Sequence, residues 1–405
     1  MLSVHFQFFQ LQALGCSMKI MIGFFQKFKI GNAVAAWAIP LAVFGIAISV
    51  FWGLMFQNGC GSLDPFCWKR WDSSLYLEIA EKGYTLIPCS SEMKSWCGNA
   101  GWAPLYPLII KVVSNWLGLS AETAGVLVSH LAFLAALMVA TNLAGIKDFS
   151  LRNWLTILLF AFFPGCVYYL AIFPVSLLML AYLMVILGLK SDRPWLTGIG
   201  GGIAALSYSS GFFIAVPIFV FGVVRLLENR SFKGLALSIL PVLMALVGWF
   251  TFFHFKLGHW NALFLVQEKY GHGIYSPIKM LFTHLGKAGS FVFTPISTIE
   301  TQTIFVFLIA VIFLWSLLRK IWQGERAPFS FFWLAYILVL WFLPFSMGEN
   351  ISLYRGCVFL APLVLFQGLW PVQTSQLDSS RILLLALFLF FAFRMSLYFF
   401  DKTLI

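Results

Sequence analysis

Residues 33–56 read AVAAWAIPLAVFGIAISVFWGLMF, 24 positions without one charged side chain. A helix rises about 1.5 Å per residue, so such a run spans roughly the 30 Å hydrocarbon depth of a bilayer. Comparable runs recur along the chain. They predict crossings near 33–56, 121–145, 153–170, 172–189, 195–208, 211–227, 234–254, 301–318, 329–346, 353–370 and 382–399. The fold expected is therefore all-α, a polytopic membrane protein of about eleven helices. Composition excludes the alternatives. With 61% hydrophobic and 10% charged residues over 405 positions, the chain lacks the charge to clothe a soluble fold or to stay disordered.

The net charge of +11 is a matter of topology rather than of nucleic-acid binding. No zinc pattern, phosphate-binding G-x-x-x-x-G-K-[ST] or dinucleotide-binding G-x-G-x-x-G appears, so ATP-driven transport by this chain is unsupported. Segment 103–118 is long enough to tempt a further crossing, but Pro104, Pro107, Lys111 and Asn115 favour a helix along the interface. With that choice and a cytoplasmic N-terminus, the inside segments carry a net +9 and the remainder +2. Making 103–118 a crossing would flip every later loop and reverse that bias.

Both long hydrophilic loops, 57–102 and 255–300, then lie outside. Cys60, Cys67, Cys89 and Cys97 fall in the first, compatible with one or two disulfides in any of three pairings, or with unpaired thiols. The expected layout is an N-terminal interfacial segment at 1–32, one integral membrane domain at 33–399 and a tail at 400–405. No cleavable signal peptide is read before the first span.

Directly after the first span comes WKRWDSSLYLEIAEKGY, 68–84. At helical spacing Trp68, Trp71, Leu75 and Ile79 form an apolar stripe, Gly83 suits a helix stop, and Asp72 sits near the start. The plain reading of Asp72 is an N-cap, because Asp before Ser-Ser suits that role. Asp64 before Pro65 reads as a turn residue. His254, His259, His272 and His284 show no metal-ligand spacing and read as loop or interface histidines, so no metal is expected.

The run RWDSSLYLEIAEKGY, followed by WAPLYPLI at 102–109, resembles the PIG-V-like (GPI mannosyltransferase 2-like) family of C-type glycosyltransferases. Arg70, Trp71, Asp72, Ile79, Ala80, Gly83 and Tyr84 match the first family motif, and Pro104, Leu105, Tyr106 and Pro107 the second. GHWNALFLVQEKYG at 258–271, which contains Gln267, and NISLYRG at 350–356 resemble two further segments. The similarity is collinear over roughly 33–370. Trp102-Ala103 replaces the family's aromatic pair, and three polar positions also depart from its pattern: Val175 stands where a Glu is usual, Tyr208 lies in a turn that usually carries an Arg, and His259 replaces an Asp.

The resemblance implies transfer of a hexose, mannose by analogy, from a polyprenyl- or dolichyl-phosphate carrier to a glycolipid or glycan acceptor, with inversion. Such a donor leaves as a phosphate, so one carboxylate base and a cation for the leaving group suffice, and no cofactor is implied. Asp72 is the expected base. Arg355 is the expected phosphate ligand, its alternative being a side chain that snorkels to the headgroups. Arg70, Lys82, Tyr84, Tyr106, Tyr208 and Gln267 are the remaining expected substrate contacts. The membrane expected is the bacterial cytoplasmic membrane with the active face outward, or the ER membrane in a eukaryote. Two other readings are kept: a transporter or flippase of lipid-linked sugars, and a catalytically silent relative with a scaffold role.

Overall fold

The computed structural model describes residues 32–61, 64–89, 95–228, 232–271, 273–289, 295–325, 327–348, 353–366, 369 and 377–400. The segment 1–31, His272, the Asn-x-Ser runs at 229–231 and 350–352, and the tail beyond Phe400 lie outside the described residues. Helix α1 is Asn32–Gln57, followed by a 3-10 turn at Pro65–Trp68 and α2 at Ser73–Lys82. Strands β1 (Leu86–Pro88) and β2 (Trp96–Gly98) form an antiparallel hairpin with Ile87 opposite Cys97. Then come α3 (Leu105–Leu117), α4 (Ala121–Leu143), α5 (Leu151–Ala161), α6 (Val175–Lys190), α7 (Pro194–Ser207) and α8 (Ala215–Leu227). The chain continues through α9 (Phe232–Leu257), α10 (Ala262–Glu268), α11 (Pro277–Ala288), α12 (Pro295–Trp322) and α13 (Pro328–Ile337). A π turn at Leu338–Phe342 joins α13 to α14 (Leu343–Ser346). Last are α15 (Leu353–Gly356), a 3-10 stretch at Cys357–Leu365 and α16 (Leu377–Phe400).

The protein is an all-α, multi-pass membrane protein in its architecture. Among the described residues six helices are long and apolar enough to cross a bilayer: Val34–Gln57, Ala121–Leu143, Phe232–Leu257, Ser297–Trp322, Pro328–Ser346 and Asp378–Phe400. Shorter apolar helices fill the space between them. The run expected as a crossing at 153–170 breaks after Ala161, where Pro164 and Gly165 turn the chain. Gly165 holds φ +90°, and a Cβ there would stand 2.7 Å from the Tyr354 carbonyl oxygen. The backbone is folded inward at this point because two segments must approach more closely than a side chain permits.

The expected exterior loop 255–300 is instead largely helical. Helix α9 persists to Leu257, Pro277 opens α11 at a position where its missing N–H costs nothing, and Pro295 opens α12. Helix α11 turns Met280 and His284, one turn apart, inward and leaves Ile278 and Phe282 exposed. His284 is therefore buried, and its Nδ1 pairs with the Glu300 carboxylate. It is not the loop or interface histidine expected from the sequence. Helix α3, 13 residues long, reaches only about 20 Å, and exposes Leu108, Val112 and Trp116 along one side.

Helix α7 packs between α6 and α9. Its glycines make that closeness possible: a Cβ on Gly198 would lie 2.3 Å from the Leu237 carbonyl oxygen, whereas one on Gly45 of α1 would meet nothing within 4 Å. Gly198→Ala is thus expected to cost about 1–3 kcal/mol, because backbone must move apart. Gly45→Ala should be neutral or stabilising in the same thermal unfolding measurement. Equal melting temperatures for the two variants would contradict this packing.

The disulfides pair neighbours in sequence, Cys60 with Cys67 and Cys89 with Cys97. The second closes the β-hairpin and the first ties the end of α1 to the turn before α2. Alkylation of denatured, unreduced protein is expected to modify Cys166 and Cys357 and to spare Cys60, Cys67, Cys89 and Cys97 until reduction, with peptide mapping joining Cys60 to Cys67 and Cys89 to Cys97. Modification of any of these four before reduction, or crosslinked peptides of another pairing, would exclude it.

Candidate active site

The 68–84 segment does not form one helix. The 3-10 turn ends at Trp68, and α2 begins only at Ser73. Between them Trp71 adopts φ +46°, in the left-handed region that a bulky residue rarely enters. The kink is held locally: the Arg70 amide donates to Ser73 Oγ at 3.1 Å, and the Leu75 and Tyr76 amides both donate to the Asp72 carbonyl. Gly83 ends the helix with φ +86°, as its position suggested. The buried face of α2 carries Ser73, Tyr76, Leu77, Ile79 and Ala80, so the stripe is displaced from the one expected.

Asp72 stands at the N-cap position of α2, but its backbone is already helical and its side chain makes no capping hydrogen bond. The carboxylate is directed elsewhere. Arg355 Nη1 donates to Asp72 Oδ2 at 2.5 Å across a sequence separation of 283 residues. The Arg355 side chain is 8% exposed and that of Asp72 28% exposed, so the pair has one dry member and one wet one. The guanidinium also lies over the rings of Phe173 at 5.1 Å and Tyr354 at 5.8 Å, a favourable setting for a cation that has lost its water. Its Nε is buried with no hydrogen-bond partner among the described residues. Gln302 of α12 steadies the segment by donating to the Tyr354 carbonyl at 3.0 Å. Arg355 is thus an inward cation rather than one that snorkels to the surface.

An aromatic wall stands beside the pair. Trp71 stacks on Tyr398 of α16 at 5.4 Å between centroids and contacts Tyr168, Tyr354 and Phe399. Tyr168 buries a hydroxyl that has no partner among the described residues. Tyr76, Tyr208 and Tyr270 lie within electrostatic reach of both Asp72 and Arg355. Burial pushes the Tyr76 phenol far above its usual value, with Tyr208 and Asp72 adding to the rise. Tyr76 therefore stays neutral and serves only as a hydrogen-bonding phenol at any ordinary pH.

Of the expected contacts, the structure brings Asp72, Arg355 and Tyr208 together. The others are placed as supports. Arg70 Nε donates to the Phe399 carbonyl at 2.8 Å and its Nη1 to the Lys69 carbonyl, which fastens α2 to the end of α16. Tyr84 donates to the Trp102 carbonyl, and Tyr106 shares hydrogen bonds with Ser129 and the Gly125 carbonyl. Gln267 donates to the Gly101 carbonyl, which also accepts from Ser209. Lys82 is exposed at the far end of α2, about 15 Å from Asp72 along the helix axis. Val175 is fully buried at the start of α6, and His259 packs against Trp96 at 4.8 Å.

Tyr168, Tyr270, Tyr354 and Tyr398 were not singled out from the sequence. Only Tyr270 had a usable signal, since it occupies the aromatic position of the segment that contains Gln267. Among the described residues no group of three His, Cys, Asp or Glu side chains is placed to hold a metal ion. Chemically, the site offers a part-wet carboxylate, a dry guanidinium and an aromatic wall. That set suits a hydroxyl nucleophile, an anionic leaving group and a ring to stack. Compared with protein-family models and with curated proteins, the chain matches none.

Proposed function

We propose that this chain is a membrane glycosyltransferase that moves a hexose, mannose by the motif resemblance, from a polyprenyl- or dolichyl-phosphate carrier to a hydroxyl of a glycolipid or glycan. The observation that carries the reading is the Asp72–Arg355 ion pair. It joins the two groups the chemistry requires, a proton acceptor and a phosphate ligand, from opposite ends of the sequence.

In the resting pair the Asp72 carboxylate is engaged by Arg355 Nη1 and is not free to meet an acceptor hydroxyl. A donor phosphate reaching Arg355 competes for that guanidinium and can engage two of its N–H groups at once, where Asp72 engages Nη1. Asp72, released from its partner, is then free to accept a hydrogen bond from the acceptor hydroxyl as the donor is seated. The acceptor oxygen then attacks the anomeric carbon from the face opposite the phosphate while Asp72 takes its proton. The C1–O bond to phosphate breaks, and the carrier phosphate leaves with the electron pair, its charge held by Arg355. Inversion follows from the single displacement. The aromatic wall of Trp71 and Tyr398 suits the apolar face of a sugar ring.

In this reading the six long helices, α6 to α8, the 353–365 segment and the run 151–170, in which α5 continues past its break into the 3-10 turn at Cys166–Tyr169, make eleven crossings with the N-terminus inside. Asp72 then faces the exterior of a bacterial cytoplasmic membrane. The test is transfer itself. Purified protein in liposomes, given radiolabelled mannosyl polyprenyl phosphate and an acceptor series, should yield labelled product. Counterflow of the lipid-linked sugar without any transfer would replace this reading with transport. Donor binding without either would identify a catalytically silent relative, a reading that buried Val175 in the family's Glu position favours.

A further inference from the structure

The bundle end remote from Asp72 holds a second chemical site. Helix α6 starts two residues after Phe173, beneath Arg355, and runs 16 residues, about 24 Å, to Lys190. There the ends of α4, α6, α12, α13 and the 357–365 stretch diverge around an open cavity of about 420 Å³. Its walls are apolar and aromatic, with Phe329, Trp333 and Phe366 prominent. Its charged groups are Lys190, Lys320 and Glu325, a net positive rim.

Lys190 is held in place on that rim. Its ammonium donates to the Leu143 carbonyl at 2.7 Å and lies 5.9 Å from the Phe366 ring centre. An ammonium has three donors, so the geometry leaves capacity for an anion at the cavity mouth. Lys320 and Glu325 approach to 4.0 Å, but the Glu325 side chain is 64% exposed, so its hold is weakened by water and salt. A phosphate is a stronger competitor for that ammonium than a solvated carboxylate. An apolar cleft with cations at its rim, at the depth where helices end, matches an amphiphile with an anionic head.

We propose that this cavity binds an anionic phospholipid of the leaflet opposite Asp72. Its phosphate meets Lys190 and Lys320, and an acyl chain lies against Phe329, Trp333 and Phe366. This site is independent of glycosyl transfer and lies at the other end of the molecule.

The test uses the purified full chain in neutral detergent and a phosphatidylglycerol carrying a diazirine in one acyl chain. Photocrosslinks are expected in the peptides around 317–333 and 365–366. Short-chain phosphatidylglycerol should compete at least ~20-fold better than short-chain phosphatidylcholine, about five-fold for each lysine. Lys320→Gln should weaken labelling about five-fold. Ser330→Trp, which fills the cleft and keeps both lysines, should abolish it at an unchanged melting temperature. Three results would overturn the proposal: equal competition by phosphatidylcholine, displacement by inorganic phosphate alone, or crosslinks that avoid these peptides.

Discussion

Substituting Asn for Asp72 is expected to lower sugar transfer by about 10²–10⁴-fold, the usual contribution of a positioned general base. Asn matches Asp in size and can still accept a hydrogen bond from Arg355, but it cannot take a proton from the acceptor. The substitution also strips a buried cation of its counter-charge. For a fully buried pair that costs about 3–5 kcal/mol. The Asp72 side chain is 28% exposed, so water replaces part of the lost attraction and the cost falls to roughly 1–3 kcal/mol. Turnover and melting temperature must therefore be measured separately. The variant Asp72→Asn/Arg355→Met removes both charges, and it should regain stability relative to Asp72→Asn while transfer stays absent. If Asp72→Asn alone keeps more than a tenth of wild-type turnover, Asp72 is not the base.

How much of this could be read from sequence differs between levels. Membrane residence was legible because a bilayer demands some 20 consecutive apolar residues, and runs such as 33–56 meet that demand locally. The break after Ala161 was not, because Pro164 and Gly165 interrupt a stretch whose composition stays apolar on both sides. What turns the chain there is the close approach of the Tyr354 backbone, a contact nearly two hundred residues away. The inward turn of His284 toward Glu300 was illegible for a related reason. In a segment of mixed polarity, only a helix face shows that one His points inward, and the expected loop concealed that face.

Asp72 and Arg355 were each nominated, but nothing in a single sequence says that they touch. The pairing depends on where α2 and α15 meet in space. Asp72 does take the N-cap position, but directly after the left-handed turn at Trp71 its backbone is already helical, and its carboxylate pairs with Arg355 instead of capping the helix. Strain of this kind gathers where a side chain must be aimed, and here it stands directly before the carboxylate that meets Arg355. Tyr398 was invisible altogether. It lies on the last helix, beyond the stretch of motif resemblance, and packs on Trp71 and Tyr354 beside Phe399, whose carbonyl accepts from Arg70.

Arg355 separates the catalytic reading from a merely structural ion pair. Arg355→Lys keeps the charge and loses the planar fork, so it forfeits a charge-assisted hydrogen bond worth about 1.5–3 kcal/mol, roughly a 10–150-fold fall in kcat/KM. Arg355→Met keeps comparable apolar bulk against Phe173 and Tyr354 but removes the cation, and should cost about 2–5 kcal/mol, or some 30- to 4,000-fold. Both losses should fall on the donor, raising its KM, and leave the KM of the acceptor unchanged. Inhibition by free polyprenyl phosphate, the leaving group, should weaken in parallel. Stability should follow a different order. Arg355→Met orphans a carboxylate that water already reaches, whereas Asp72→Asn orphans a guanidinium that is 8% exposed. The Met variant should therefore melt higher than the Asn variant although both are inactive or nearly so. A structural pair would show the reverse signature, with a donor KM unmoved by Arg355→Lys and activity tracking melting temperature across all the variants. That outcome would leave Arg355 as a packing residue and remove the phosphate ligand from the proposed chemistry.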